Sequence, residues 1–533
     1  MIMSGSLVRR SAVAALGAVA LAALPVLPDV PGGLGPQRAT ARAAGADGRG
    51  DRGHGAGRQQ NADDYDYGYG DYEFGDDDYD YYGDDDYGYG DYEFGDYGDY
   101  GDFDPEFGGY GDYGDYGEGQ GHSHRHGTAH RHGKAHSHGR SQGHHHRKAR
   151  WRGGWAASPQ APNNVFRNNW SRVGFARQTI RQVVRVSTGG SQARIELSNR
   201  YGTTPLKVAG ATIARTDHGA SVQAGSVRRL TFGHRRSATV PAGGELRSDA
   251  VALKVRALES LTVTLYLDEP TGPATFHGLA SATSYRADGD HRSDVGAKAF
   301  TSTSRSWYYL SGVEVAGGRA RHRDGVVAFG DSITDGFGSR VDADNRYPDE
   351  LAERFAAAGR SRSVVNHGIT GNQLTNNSEW AGEKALTRFR RDVLNEPNVG
   401  TVILLEGIND IGMSEWQGVT GGPTPSRTVE ELIAAQRELV RQAHAKGLKV
   451  IGATLTPFKG AQYYNERGEN KRDALNDWIR TSDEFDGVLD LDRALADPAD
   501  RDRLAAAYDI GDHLHPNDAG YRAMADAVDI DGL

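Results

Sequence analysis

The sequence predicts an α/β fold: a doubly wound parallel sheet, preceded by an all-β sandwich or jelly-roll-like domain and a disordered N-terminal region. Three observations predict it. After Gly325, short apolar runs alternate with helical stretches, the pattern of a parallel sheet covered on both faces. Between residues 160 and 315, β-branched residues alternate with polar ones among frequent turn signals, with no helix-period stretch of convincing length. Before residue 150, the chain is dominated by Asp, Tyr, Gly and His.

At the N-terminus, Arg9 and Arg10 precede an apolar run from Ala12 to Leu27, and Ala41-Arg42-Ala43 offers a small-residue cleavage site. Residues 1–43 therefore read as an export signal. The run is short and broken by Pro25, which argues against a membrane span. The mature chain is expected outside the cell, secreted. Residues 44–150 follow as low-complexity sequence. Within them, residues 63–118 hold 22 Asp and Glu and no Lys or Arg, and the string YGYGDYEFGD at 67–76 recurs at 87–96. Aliphatic side chains are absent there, and like charges repel, so too little apolar surface can be buried to offset chain entropy. Ten histidines then fall in residues 121–147, among them His122, His124, His126, His136, His138 and His144-His145-His146. Such a tract can capture divalent metal weakly through neutral imidazoles, or serve as a linker that gains charge at acidic pH.

These tracts distort the averages. The formal charge of the 533 residues is −11, yet removing the 22 acidic charges of the tract leaves +11. No whole-chain charge argument for nucleic-acid or membrane binding survives that split. The chain has no cysteine, which excludes disulfides, thiolate metal sites and cysteine nucleophiles. Core burial alone must hold the remainder together, and its length is ample for that.

From Trp151 the texture becomes globular. Residues 151–320 form the expected β domain, with strands at 178–187, 192–198 and 261–267 and turns at 199–202 and 241–244. Residues 321–533 form the expected α/β domain. Its strand candidates are 326–330, 363–367, 401–406, 449–455 and 487–491, and its helix candidates are 347–358, 382–395, 428–446, 470–484 and 517–529.

Four segments of the second domain carry chemistry. Gly330-Asp331-Ser332 ends the first strand, and Asn366-His367-Gly368-Ile369-Thr370-Gly371-Asn372 follows the second. Glu406-Gly407-Ile408-Asn409-Asp410 follows the third, and Asp512-His513-Leu514-His515-Pro516 lies near the C-terminus. All lie at or beyond predicted strand ends or in C-terminal loops, and that edge of an open α/β sheet is where ligands bind. A serine with a distant Asp/His pair supplies the parts of a nucleophilic triad. Each residue also has a structural alternative. Ser332 could cap a helical turn, Asn409 could serve a turn and Gly371 a backbone with positive φ. Asp331, Asp335 and Asp410 read as structural acceptors for backbone amides near the elbow, His367 as a structural loop residue, and His513 as a surface or supporting neighbour. Asp512, His513 and His515 cluster, but a third protein ligand at metal-binding spacing is missing.

The four segments together resemble the SGNH hydrolases, also called the GDSL esterase/lipase family. The resemblance covers Val326 to Val528, with Ser332, Gly371, Asn409 and His515 in family order and Gly-Asp-Ser-Ile in place of Gly-Asp-Ser-Leu. It implies Ser332 as nucleophile, His515 as general base and then acid, and Asp512 as the group that orients His515. It implies an oxyanion hole made by the backbone N–H of Ser332, the backbone N–H of Gly371 and the Asn409 side chain. No metal or other cofactor is implied. Trp155-Ala156-Ala157-Ser158-Pro159, Arg177 to Gln182, Ser198 to Gly202 and Arg346-Tyr347-Pro348-Asp349 further resemble a secreted bacterial subgroup similar to xylan-associated acylesterases.

The expected function is thus a secreted serine esterase acting on O-acyl esters, such as acetyl groups on polysaccharide. A lipase or aryl esterase of the same family is the first alternative; it would expose an apolar rim to which Trp380, Met413 and Trp416 are candidates. A non-catalytic surface protein binding metal or wall polymer through its N-terminal tracts is the second.

Overall fold

The computed structural model describes residues 150–166, 168–318, 321–415 and 425–533. The segment expected to be an export signal, both low-complexity tracts and Trp416 lie outside the described residues.

The five apolar runs of the C-terminal part form one parallel sheet. Its strands are Gly325–Gly330, Val364–Gly368, Val399–Leu405, Lys449–Ala453 and Gly487–Leu489. In space the Val364–Gly368 strand comes first, then Gly325–Gly330, and then the other three in chain order. Val326, Val327, Ala328 and Phe329 are all buried, which is why the first strand reads as an unbroken apolar run rather than an alternating one. Strand order reverses beside that first strand, and such a switch point opens a crevice at the carboxyl ends of the strands. The register makes these ends level. Gly330 pairs with Gly368 on one side and with Leu405 on the other. The three loops that leave them therefore start side by side.

The helices sit close to the expected spans, as Tyr347–Ala357, Val429–Ala445, Glu466–Thr481 and Asp518–Asp526. Thr428 opens the second of these with a full capping box, its hydroxyl taking the Glu431 N–H and Glu431 reaching back, which fixes its start. The third begins earlier than expected because Asn465 caps it through the Gly468 N–H. The 382–395 candidate is shorter and irregular: a helix over Ala385–Phe389 passes into a wider π-type turn over Arg390–Leu394.

The N-terminal described part contains antiparallel sheets. One centres on Gly190–Ser198, which pairs with Leu310–Ala316 on one side and with Glu245–Arg247 and Val251–Val255 on the other; Trp151–Ala156 adds beyond Leu310–Ala316. The other runs Ser302–Ser304, Ser284–Asp288, Gln178–Arg185, Ser260–Leu267, Gly210–Arg215 and Arg228–Leu230. Ile180, Ile195, Leu197, Val263, Leu265 and Val313, drawn from both sheets, share one buried core. The change from antiparallel to parallel pairing falls between Ala316 and Gly325. No helix among the described residues is long and apolar enough to cross a membrane.

Candidate active site

The Gly-Asp-Ser segment turns the chain from strand into a single helical turn, Ser332–Asp335. Asp331 caps that turn by accepting the Ile333 N–H at 3.0 Å. Gly336 ends it at φ +102°, a left-handed conformation in which a Cβ is costly. The turn leaves Ser332 at the mouth of the sheet.

His515 comes to Ser332 from 183 residues away. The Ser332 Oγ lies 2.8 Å from His515 Nε2, and His515 Nδ1 lies 2.6 Å from Asp512 Oδ2. The other carboxylate oxygen of Asp512 accepts the backbone N–H groups of Leu514 and His515 at 3.0 and 2.9 Å. Burial opposes the Asp512 charge, but the hydrogen bond and charge of His515 and these two amides hold the carboxyl below its ordinary range. Phe337 packs on the imidazole with ring centroids 4.4 Å apart, and Tyr521 holds that segment by donating its hydroxyl to the Phe337 carbonyl at 2.6 Å. His513 points elsewhere: its Nδ1 meets Asp509 at 2.8 Å and its side chain is 41 % exposed.

Gly371 lies on the loop after the second strand, and Asn409 lies in the first turn of the Ile408–Glu415 helix that follows the third. Gly371 has φ +80°, and a Cβ there would enter the indole of Trp380. Both facts restrict the position to glycine. Asn409 spends one amide hydrogen on the Asn372 carbonyl at 3.0 Å. A side-chain amide has two, so its orientation is fixed while one donor stays available. The three neighbouring aspartates all accept backbone amides: Asp331 that of Ile333, Asp335 that of Thr370 at 2.8 Å, and Asp410 those of Leu374 and Thr375 at 2.7 and 3.0 Å.

Beneath the site is a polar cluster with no contiguous signature in the sequence. Arg388, fully buried, donates to the Gly330 and His367 carbonyls at 2.8 and 2.7 Å and to Asn372 Oδ1 at 2.8 Å. It also pairs with Asp392 at 3.1 Å and Glu406 at 3.4 Å. One cation thereby ties together the ends of the first two strands and the loop after Gly371. Burial pushes the Asp331 carboxyl up to about 7 and that of Asp410 to about 6, and burial together with the Asp331 charge raises Glu406 as well. His367 departs from the loop position expected of it. It lies within a strand, buried, between Ser158 Oγ at 3.0 Å and Glu396 at 3.0 Å. Met413 is buried and adds nothing to an exposed rim, whereas Trp380 is half-buried beside Gly371. No cluster of three or more His, Asp or Glu suited to a metal ion occurs among the described residues.

The antiparallel part reaches this site directly. Gln160 and Asn163 donate to the Trp380 carbonyl at 2.9 and 3.4 Å. Arg200 pairs with Glu383 at 2.8 Å, and His277 meets Asp335 at 2.9 Å.

A serine at a topological switch point, hydrogen-bonded to a histidine that is hydrogen-bonded to an aspartate, is the arrangement by which hydrolases in general activate a hydroxyl. Residues 328–523 match the model of the GDSL-like lipase/acylhydrolase family. That C-terminal stretch is a domain of the GDSL-type, or SGNH, hydrolase family, a carboxylic ester hydrolase by class. Similar solved structures include a lipolytic protein of the G-D-S-L family from Desulfitobacterium hafniense, at 22 % identity over 38 % of this chain and 97 % of that one, with a TM-score of 0.30. An acetyl xylan esterase from Geobacillus stearothermophilus is 20 % identical over 38 % and 92 %, with a TM-score of 0.31. A lipase/acylhydrolase from Enterococcus faecalis is 20 % identical over 38 % and 92 %, with a TM-score of 0.30. No curated protein sequence matches the chain.

Proposed function

We propose that this chain is a secreted serine esterase that removes short O-acyl groups, acetyl above all, from a carbohydrate. The observation that carries the reading is the hydrogen-bonded row Ser332–His515–Asp512 beside two candidate donors, the Gly371 amide and the Asn409 side chain. In this reading His515 takes the Ser332 proton as the oxygen attacks the ester carbonyl, and Asp512 stabilises the imidazolium that forms. The Ser332 and Gly371 N–H groups and the free Asn409 hydrogen receive the oxyanion. His515 then protonates the departing alcohol, and water repeats the sequence on the acyl-serine.

The short acyl group is supported by Trp380 set against Gly371 and Phe337 set against His515, both of which take up space beside the reacting carbon. The carbohydrate alcohol rests on the resemblance of residues 155–159, 177–182 and 198–202 to xylan-associated acylesterases. Met413, turned into the interior, weakens the case for a lipase rim. Within this proposal the two antiparallel sheets are read as a sandwich that packs on the catalytic domain, and residues 1–43 as the leader that exports it.

Turnover of acetylated xylan and of nitrophenyl esters from acetate to palmitate tests the substrate. Acetate and acetylated xylan should be preferred over long chains. Ser332→Ala should abolish turnover with the unfolding midpoint kept. Unchanged turnover in that variant rejects the nucleophile, and a preference for palmitate rejects the short acyl group.

A further inference from the structure

The His277 side chain is fully buried, yet every group its ring nitrogens meet is an acceptor. Nδ1 lies 2.9 Å from the Ser158 carbonyl. Nε2 lies 3.0 Å from the Leu279 carbonyl and 2.9 Å from Asp335 Oδ1. A carbonyl cannot donate, so both nitrogens must carry hydrogen, and the ring is an imidazolium. Burial works against that charge, but the Asp335 carboxylate beside it outweighs burial and raises the histidine above its ordinary range. Trp307 packs on the ring with centroids 5.6 Å apart, and the Arg346 guanidinium lies 5.7 Å from the same indole.

Asp335 is the last residue of the helical turn that Ser332 begins. Its second oxygen accepts both the backbone N–H and the hydroxyl of Thr370, at 2.8 and 2.7 Å. Thr370 immediately precedes Gly371. One carboxylate thus joins the turn carrying Ser332 to the loop carrying Gly371, and one cation from the antiparallel part holds that carboxylate in place.

We propose that His277 is a positioning residue for ester hydrolysis, acting through Asp335 and Thr370 to hold the Gly371 amide against the Ser332 turn. The inference rests on the reading of Gly371 and Asn409 as oxyanion donors. It gives the antiparallel part a role in the chemical step, beyond shaping where the substrate sits. Without His277, Asp335 Oδ1 loses its hydrogen-bonded cation, and the Arg346 guanidinium acts on the carboxylate only through its charge. The carboxylate must shift to find another donor, which loosens its grip on Thr370. A displacement of about 1 Å at a reacting centre can cost roughly 100-fold.

The test uses the full chain with nitrophenyl acetate as substrate. His277→Ala should lower kcat about 10- to 100-fold with KM moved less than about threefold, since the oxyanion contact is made in the transition state. His277→Gln, which keeps a donor toward Asp335 without the charge, should fall between. Asp335→Asn should match His277→Ala, and the double variant should be no worse than either alone, because both break one connection. Unfolding midpoints above the assay temperature show that the variants are folded. Asn409→Ala, measured in parallel, should lose about 100-fold or more. If it does and folded His277→Ala and His277→Gln stay within twofold of wild type, the positioning role is wrong. Losses that multiply in the double variant overturn it too. Should neither His277 variant fold, Asp335→Asn decides alone, and an unchanged kcat there refutes the proposal. If Asn409→Ala keeps full kcat, the oxyanion reading itself fails and takes this inference with it.

Discussion

Replacing Asp512 by asparagine tests the proposed proton path at a single atom. Oδ1 of Asp512 accepts two backbone N–H groups. An asparagine must therefore keep its oxygen there, because an NH2 group would face two donors. Its nitrogen is then forced into the place of Oδ2, 2.6 Å from His515 Nδ1. That nitrogen can only donate, so Nδ1 must be bare and the ring proton must move to Nε2. Nε2 is the atom 2.8 Å from the Ser332 hydroxyl. It would present a proton where the mechanism requires a lone pair. Locking a triad histidine in the wrong tautomer costs about 10⁴ in kcat, or about 5.4 kcal/mol of barrier. The backbone contacts survive, so the unfolding midpoint should hardly move. Initial rates on nitrophenyl acetate at pH 7, with kcat and KM resolved, read the effect. A folded Asp512→Asn variant with kcat within tenfold of wild type would refute the assignment of His515 as the base.

Four further outcomes are expected. Gly371→Ala should lose activity and about 1–2 kcal/mol or more of stability by urea unfolding, from its φ of +80° and the methyl pressed into Trp380; adding Trp380→Ala should recover only part. Because burial raises Asp331 to about 7 from 3.8, the folded chain keeps a proton there that the unfolded chain releases, so stability falls as pH rises from about 4 to about 7. Asp331→Asn needs no proton and should be more stable than wild type at pH 8 by roughly 1–3 kcal/mol, an advantage gone by pH 4; equal unfolding midpoints at both pH values would contradict this. Arg388→Met leaves the Gly330 and His367 carbonyls and buried Glu406 without its donors, while Asp392 keeps Arg391 at 2.6 Å, and should cost about 3–5 kcal/mol in denaturant unfolding. A chain starting at Arg150 should fold and keep kcat, since the tracts before it lack the apolar surface to build a core.

The parts of the site that the sequence reveals are those whose chemistry is contiguous. Gly330-Asp331-Ser332 couples a strand end, a cap and a hydroxyl within three residues, and Asp512 to His515 places the proposed base and the carboxylate behind it within four. The parallel sheet was legible because strands buried on both faces are uniformly apolar, and the helices because their faces alternate. Arg388 and His277 were not legible as parts of the site. Each acts across a large separation: Arg388 reaches Gly330 over 58 residues, and His277 reaches Asp335 over 58. No local pattern marks a side chain whose partners are fixed only by tertiary packing. The early start of the Glu466–Thr481 helix was missed for a related reason. Glu-Arg-Gly-Glu reads as loop until Asn465 is seen to cap the Gly468 amide.

The level ends of the three central strands set a tolerance on length. One residue of slippage in either pairing of the Gly325–Gly330 strand would carry Gly371 or Asn409 about 3.3 Å along the sheet, further than a hydrogen bond is long, and would turn that strand's side chains inside out. Insertions and deletions should therefore be survivable at the opposite, amino-terminal rim of this sheet. Within the strands themselves they should be lethal to turnover even where the protein still folds.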